Sequence, residues 1–152
     1  MTVEKKAQLR EKLIGFQRNI ADLKRKLDRQ EQDFSDREAR LLSGFFEVMD
    51  AFETLEANLE AKKEPLDKPA RMMKKNIRSI SRKMYRTFTS NGIEQIRFEE
   101  GKANMAQCKI LDTRQAPDLP EETLLEIVKN GYINTSNGKV LRKAEVITVH
   151  NN

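Results

Sequence analysis

From Leu9 to Leu59 the chain sets apolar side chains at alternating steps of four and three, and this spacing constrains its fold more than any other feature. The series runs Leu9, Leu13, Phe16, Ile20, Leu23, Leu27, then Gln30, Phe34 and Arg37, and on through Leu41, Phe45, Val48, Phe52, Leu55 and Leu59. Such alternation is a heptad seam, the pattern of α-helices that pack along a shared stripe. No proline occurs before Pro65. At about 1.5 Å per residue the spacing predicts a helix on the order of 75 Å long.

A seam of that length needs cover, and the rest of the chain is too short to supply it. A second copy is the simplest cover, so Leu13, Phe16, Ile20, Leu23, Leu27, Leu41, Phe45, Val48 and Phe52 are expected at a homodimer contact. Composition agrees with exposed helices rather than a thick core: 35% of the 152 residues are charged, 6% are aromatic and none is Trp. Two steps of four in a row, Arg37 to Leu41 to Phe45, insert a stutter that locally unwinds a supercoil. Leu41, Leu42, Phe45 and Phe46 then broaden the stripe. A narrow stripe suits a two-helix contact and a broad one a bundle, so the helix is expected to change partners near residue 40.

Glu64-Pro65-Leu66-Asp67-Lys68-Pro69 ends this pattern, with Pro69 suited to the first turn of a following helix. Apolar spacing resumes through Met73, Ile77, Ile80, Met84 and Phe88. Ser90-Asn91-Gly92 forms a stop, with glycine available for a left-handed cap. A long helix, a short loop and a shorter antiparallel helix, doubled in a dimer, make a four-helix bundle. The second helix carries Arg71, Lys74, Lys75, Arg78, Arg82, Lys83 and Arg86 with no acidic residue among them. These cations form either a solvated face paired with Glu53, Glu56, Glu60 and Glu64, or a docking surface for phosphates or an acidic protein.

After Gly92 the helical period disappears. Met105 to Leu111 partly alternates as a strand does, Leu124 to Val128 is a further apolar run, and Val146-Ile147-Thr148-Val149 is β-branched throughout. Asn137-Gly138 is a hairpin turn signal between Gly131-Tyr132-Ile133 and Val140-Leu141-Arg142. The expected fold class is α+β, mainly α. Residues 1–40 form a long coiled-coil helix, 41–92 a helical bundle and dimerisation region, and 93–152 a small β domain that needs the bundle for stability.

Several functional classes find no footing in these residues. No glycine-rich phosphate loop, metal-spaced cluster or nucleophile-base constellation is present, so an enzyme, a cofactor and a metal site are not expected. The one histidine, His150, lies in the C-terminal tail, and the one cysteine, Cys108, can form no internal disulfide. No stretch is apolar enough to span a bilayer, and residues 1–10 lack the apolar run of a secretory signal, so a cytoplasmic, reducing compartment is expected. The net charge of +5 permits an acidic partner, nucleic acid included, without demanding one.

The succession of long helix, short helix and small β domain resembles the GrpE family, nucleotide exchange factors of DnaK-type chaperones. Asn130-Gly131-Tyr132 followed by Val140-Leu141-Arg142-Lys143-Ala144-Glu145-Val146 is similar to its most recognisable signature: glycine-tyrosine, a short hairpin, then valine-leucine-arginine-x-alanine-x-valine. Asn91-Gly92-Ile93-Glu94-Gln95-Ile96 looks like the segment that leaves its bundle, and Val48-Met49-Asp50-Ala51-Phe52 resembles a stretch of its bundle helix. The resemblance implies a homodimeric co-chaperone, active in protein folding and the stress response, that binds the chaperone's nucleotide-binding domain, opens its cleft and releases ADP. Carried over by position, it places chaperone contacts at Lys139, Arg142, Val146 and Thr148 on the hairpin and following strand, and at Lys24, Arg25 and Lys26 on the long helix. For each of these a purely structural role stays open, hairpin anchoring for Arg142 in particular.

The sequence departs from that family at Lys102-Ala103-Asn104-Met105-Ala106-Gln107-Cys108, where the usual proline and histidine are missing. It departs also in the longer hairpin loop Asn134 to Lys139, in Asp36 where an aromatic contact is usual, and in the basic second helix. From that helix comes a reading of another class: a dimeric adaptor that binds nucleic acid or an acidic protein.

Overall fold

A computed structural model describes residues 2–151. Helix α1 spans Val3–Ala61 and α2 spans Lys68–Ser90; six strands follow, β1 Ile93–Gln95, β2 Cys108–Arg114, β3 Leu124–Lys129, β4 Tyr132–Asn134, β5 Val140–Arg142 and β6 Ala144–Val149. The chain divides into two compact units, the first ending at Leu42 and the second beginning at Ser43.

From Val3 onward the first unit is α-helix, as the four-three spacing predicts. Within it Leu9, Leu13, Phe16, Ile20, Leu23, Leu27 and Phe34 are all at least half exposed, from 50% to 69%. In the second unit α1 turns two apolar faces outward from its axis. Phe46 and Met49 are buried, whereas Phe45 and Val48, one position earlier in each case, are exposed. The broad stripe of the sequence is therefore two adjacent stripes, one covered within the chain and one not.

Helix α2 starts where its capping chemistry lies. The Asp67 carboxylate accepts the Ala70 N–H at 2.9 Å and Pro69 occupies the first turn. It stops at Ser90: the Asn91 N–H donates to the Phe88 carbonyl, the Gly92 N–H to that of Thr89, and Gly92 adopts φ +70°. The two helices run antiparallel, because Glu60 meets Arg78, Glu53 meets Tyr85 and Phe46 meets Phe88 in reverse chain order.

The β domain holds two three-stranded sheets. In the first, β4 pairs antiparallel with both β1 and β5. Its β4–β5 hairpin closes at the expected turn, with Gly138 at φ +71° and its N–H on the Asn134 carbonyl. In the second, β6 lies centrally, parallel to β2 and antiparallel to β3. Met105 to Gln107 form a turn rather than the start of β2: the Asn104 side chain accepts the Ala106 N–H, and its carbonyl accepts those of Gln107 and Cys108. Cys108, Ala144 and Val146 centre a small core completed by Phe98, Ala103, Ile110 and Leu124.

Candidate functional site

The residues that fix the β domain to the helices come from four separate segments. Tyr132, the first residue of β4, stacks on Phe46 of α1 with ring centroids 4.1 Å apart and planes within 3°. Phe88 of α2 meets both rings edge-on, at 5.6 and 5.8 Å. Such offset and edge contacts suit the aromatic quadrupole and add to the burial of large rings. Arg142, the last residue of β5, lies 5.3 to 5.4 Å from the Tyr132 and Phe46 ring centres.

The Arg142 guanidinium also forks onto Asp50, Nη1 to Oδ2 at 2.8 Å and Nη2 to Oδ1 at 2.6 Å, and donates from Nε and Nη2 to the Asn130 carbonyl at 3.0 and 2.7 Å. Burial alone would favour losing its proton, but the hydrogen bonds and charge of Asp50 outweigh that and hold the guanidinium above its ordinary range. Lysine could not reproduce this forked geometry.

Glu53, one turn beyond Asp50 on α1, collects three further donors. The Tyr85 hydroxyl donates to it, as do Gln95 Nε2 at 3.1 Å and Asn130 Nδ2 at 2.8 Å. Gln95 Nε2 also donates to the Tyr85 oxygen at 2.7 Å. Burial, then the hydrogen bond and charge of Glu53, push the Tyr85 phenol far above its usual range. Burial likewise raises Tyr132, whose hydroxyl lies near Gln95 and Tyr85 without a hydrogen bond of ordinary geometry. Two carboxylates on successive turns of α1 thus hold β1, β5, α2 and the segment leading into β4 together.

The sequence-expected contact residues separate into two groups. Lys139 is exposed at the base of the hairpin loop, and Lys24, Arg25 and Lys26 are exposed on α1, where Arg25 lies 3.6 Å from Asp22. Arg142, by contrast, is taken up by Asp50 and Asn130. Val146 and Thr148, at 0% and 1% exposure, lie inside the sheet, because β6 is flanked by strands on both edges and covered on both faces. Of the two readings left open for those residues, burial favours the structural one: the β-branched run that marks the strand also buries it. Of the residues expected at a homodimer contact, Leu13, Phe16, Ile20, Leu23, Leu27, Leu41, Phe45 and Val48 lie on open apolar stripes, and Phe52 is half-buried.

Sequence reasoning missed the clamp itself. A signal was present, since Asp50 and Glu53 interrupt a broad apolar stripe and a carboxylate there requires a buried partner. Cys108 is buried, and burial pushes its thiol up. Of the basic helix, Arg78 and Lys74 pair with Glu60, while Arg71, Lys75, Arg82, Lys83 and Arg86 are exposed and make no ion pair among the described residues.

A small two-sheet β domain, bolted by aromatic stacking and a forked ion pair to an antiparallel helix pair, defines the class as a helical protein with a firmly mounted β head. A sequence model of the GrpE family matches residues 2–150, and the chain belongs to that family. Its members are nucleotide exchange co-chaperones of DnaK-type chaperones, not catalytic enzymes. No curated protein matches the chain in direct comparison. No helix among the described residues is long and apolar enough to cross a membrane.

Proposed function

We propose that two copies of the chain pair through the open apolar stripes and that the pair accelerates ADP release by engaging the nucleotide-binding domain of a DnaK-type chaperone. The observation that supports this most directly is the clamp of Phe46, Asp50 and Glu53 on Tyr132, Arg142 and Asn130. An exchange factor performs no bond chemistry. It must bind the open form of its partner better than the closed one, and ADP affinity then falls by the same factor. Such discrimination needs a contact surface that does not yield when the partner resists, and the clamp ties the hairpin to α1.

Within this reading Lys139, Lys24, Arg25 and Lys26 are the contacts. Arg142, Val146 and Thr148 hold the shape of the hairpin and its neighbouring strand. The residues 1–40, 41–92 and 93–152 act as coiled-coil helix, dimerising bundle and docking domain.

The test is release of a fluorescent ADP analogue from a DnaK-type chaperone of the same cell. A saturable rise in rate is expected, and Lys139→Glu should raise the concentration needed for half the effect while leaving the melting temperature unchanged. An unaltered release rate at saturating protein ends the proposal.

A further inference from the structure

Helix α2 holds eight of the chain's 29 Lys and Arg residues and none of its 24 Asp and Glu. The remainder of the chain therefore carries 21 basic and 24 acidic residues, a net charge of −3. All of the protein's positive excess comes from this one helix.

The cations are also ordered. Arg71, Lys75, Arg78, Arg82 and Arg86 recur at steps of four, three, four and four, and so fall on one side of the helix. Lys75, Arg78, Ser79, Arg82, Lys83 and Arg86 line a continuous open groove along about 16 Å of axis. The apolar stripe of Met73, Ile77, Ile80 and Met84 lies on the opposite side. Whatever covers that stripe leaves the basic side free. Glu60 is taken by Arg78 and Lys74, and Glu53 is occupied by Tyr85, Gln95 and Asn130.

From this we infer that the outer face of α2 is a sequence-independent binding site for the phosphate backbone of single-stranded nucleic acid. A regular row of cations on successive helical turns matches a ligand whose charges repeat regularly. Three arginines and two lysines that make no ion pair among the described residues supply both forked and point-charge donors for phosphate oxygens. The groove has no aromatic residue to stack on bases, so it reads charge and not sequence. A protein partner would need an apolar anchor at the centre of the patch, and the groove lining has none. A bilayer-bound helix would have to sink its apolar stripe into the membrane, and in the paired reading that stripe faces the other helices of the bundle.

The experiment is fluorescence anisotropy of the full-length protein with a labelled oligothymidylate of about 20 nucleotides. With four or five phosphates neutralised, the log–log salt slope should be about −3, an affinity loss on the order of 50-fold between roughly 50 and 200 mM salt. The double variant Arg82→Glu, Arg86→Glu should weaken binding at least about tenfold at low salt, with unchanged helical ellipticity and unchanged oligomeric mass. The control Lys5→Glu, Lys12→Glu, with the same change of net charge on another helix, should bind as the parent does. Absence of binding, a salt-independent constant or equal losses in both double variants would overturn the inference. So would binding to phosphatidylserine vesicles without binding to the oligonucleotide. None of these readings uses a chaperone, so the outcome stands apart from that of the exchange assay.

Discussion

Arg142 and Asp50, 92 residues apart in the chain, meet as a forked ion pair that joins the end of β5 to the middle of α1. Both side chains are about one-fifth exposed, so the pair is largely withdrawn from solvent. Removing one partner of such a pair leaves the other desolvated and uncompensated. Arg142 additionally packs beside the stacked rings of Phe46 and Tyr132, nearly equidistant from their centres, which makes it a packing element as well as a charge.

Asp50→Ala should therefore destabilise the second unit by about 3 kcal/mol, and Arg142→Lys by about 1–2 kcal/mol because the charge stays while the fork is lost. Urea unfolding followed by far-ultraviolet circular dichroism, at one fixed protein concentration, checks both values. A loss below about 0.5 kcal/mol for Asp50→Ala would place the pair among ordinary surface ion pairs.

The helices of this fold were legible because their signals are local. Asp67 and Pro69 announce the start of α2, and Ser90-Asn91-Gly92 its end, within a few residues each. Asn137-Gly138 sets the hairpin turn for the same reason. The β domain's pairing is not local: β2 and β6 are parallel partners separated by some thirty residues, and β1 is three residues long with no run to mark it. The clamp is less local still. Asp50 and Arg142 both stand inside motifs that can be read from the sequence, but nothing in either motif names the other as its partner. Val146 and Thr148 show the converse: position within a family signature suggested a contact role, and only the pairing of the central strand reveals that both side chains are buried.

Gly131 precedes β4 at the point where the chain passes closest to its neighbours. A Cβ there would lie 2.6 Å from the Ala144 nitrogen and 2.9 Å from the Arg142 carbonyl oxygen, both backbone atoms that cannot swing aside. Gly131→Ala should cost about 3 kcal/mol by forcing β4 away from the strand junction that carries Arg142. At Gly15, inside α1, a Cβ meets nothing within 4 Å. Gly15→Ala should instead stabilise by about 0.5–1 kcal/mol through helix propensity. Thermal melts of the two variants should move in opposite directions; a shared direction would contradict both placements.

The seam of α1 supplies a test of self-association. Leu23 is 64% exposed in the single chain, midway along a row of similarly open apolar residues. In a two-fold symmetric pair every substitution acts twice. Leu23→Glu should weaken dimerisation by about 3 kcal/mol or more, on the order of 100-fold in the dissociation constant. Helical ellipticity should fall with it, because an amphipathic helix without cover is marginal in water. The off-seam change Arg18→Glu should do neither. Light scattering coupled to size exclusion gives the mass directly, and a parent protein that runs as a monomer at micromolar concentration would remove the pairing.

Alkaline pH provides a check on the aromatic cluster that needs no partner. The chain has two tyrosines, Tyr85 and Tyr132, and burial raises both phenols, with Glu53 raising Tyr85 further through its hydrogen bond and charge. In the unfolded chain each phenol ionises at its ordinary pKa of 10.0, while in the folded chain each keeps its proton to higher pH. The unfolded state therefore loses protons first as pH rises. Stability from these groups is fully present below pH 10, and it declines above that value by at most about 1.4 kcal/mol per pH unit for each phenol. Absorbance near 295 nm, where phenolate absorbs, should stay low past pH 10 and then rise together with the loss of helical ellipticity. Tyr132→Phe should change neutral-pH stability by less than about 0.5 kcal/mol, since it deletes a buried hydroxyl without a well-formed hydrogen bond, whereas Tyr85→Phe should cost about 1–2 kcal/mol by taking a donor from Glu53. Either variant should also shallow the alkaline decline, because one of the two protons that unfolding releases is gone. Phenolate absorbance that rises with an ordinary midpoint in the still-folded protein would show that the cluster is open to water, and the clamp built around it would have to be redrawn.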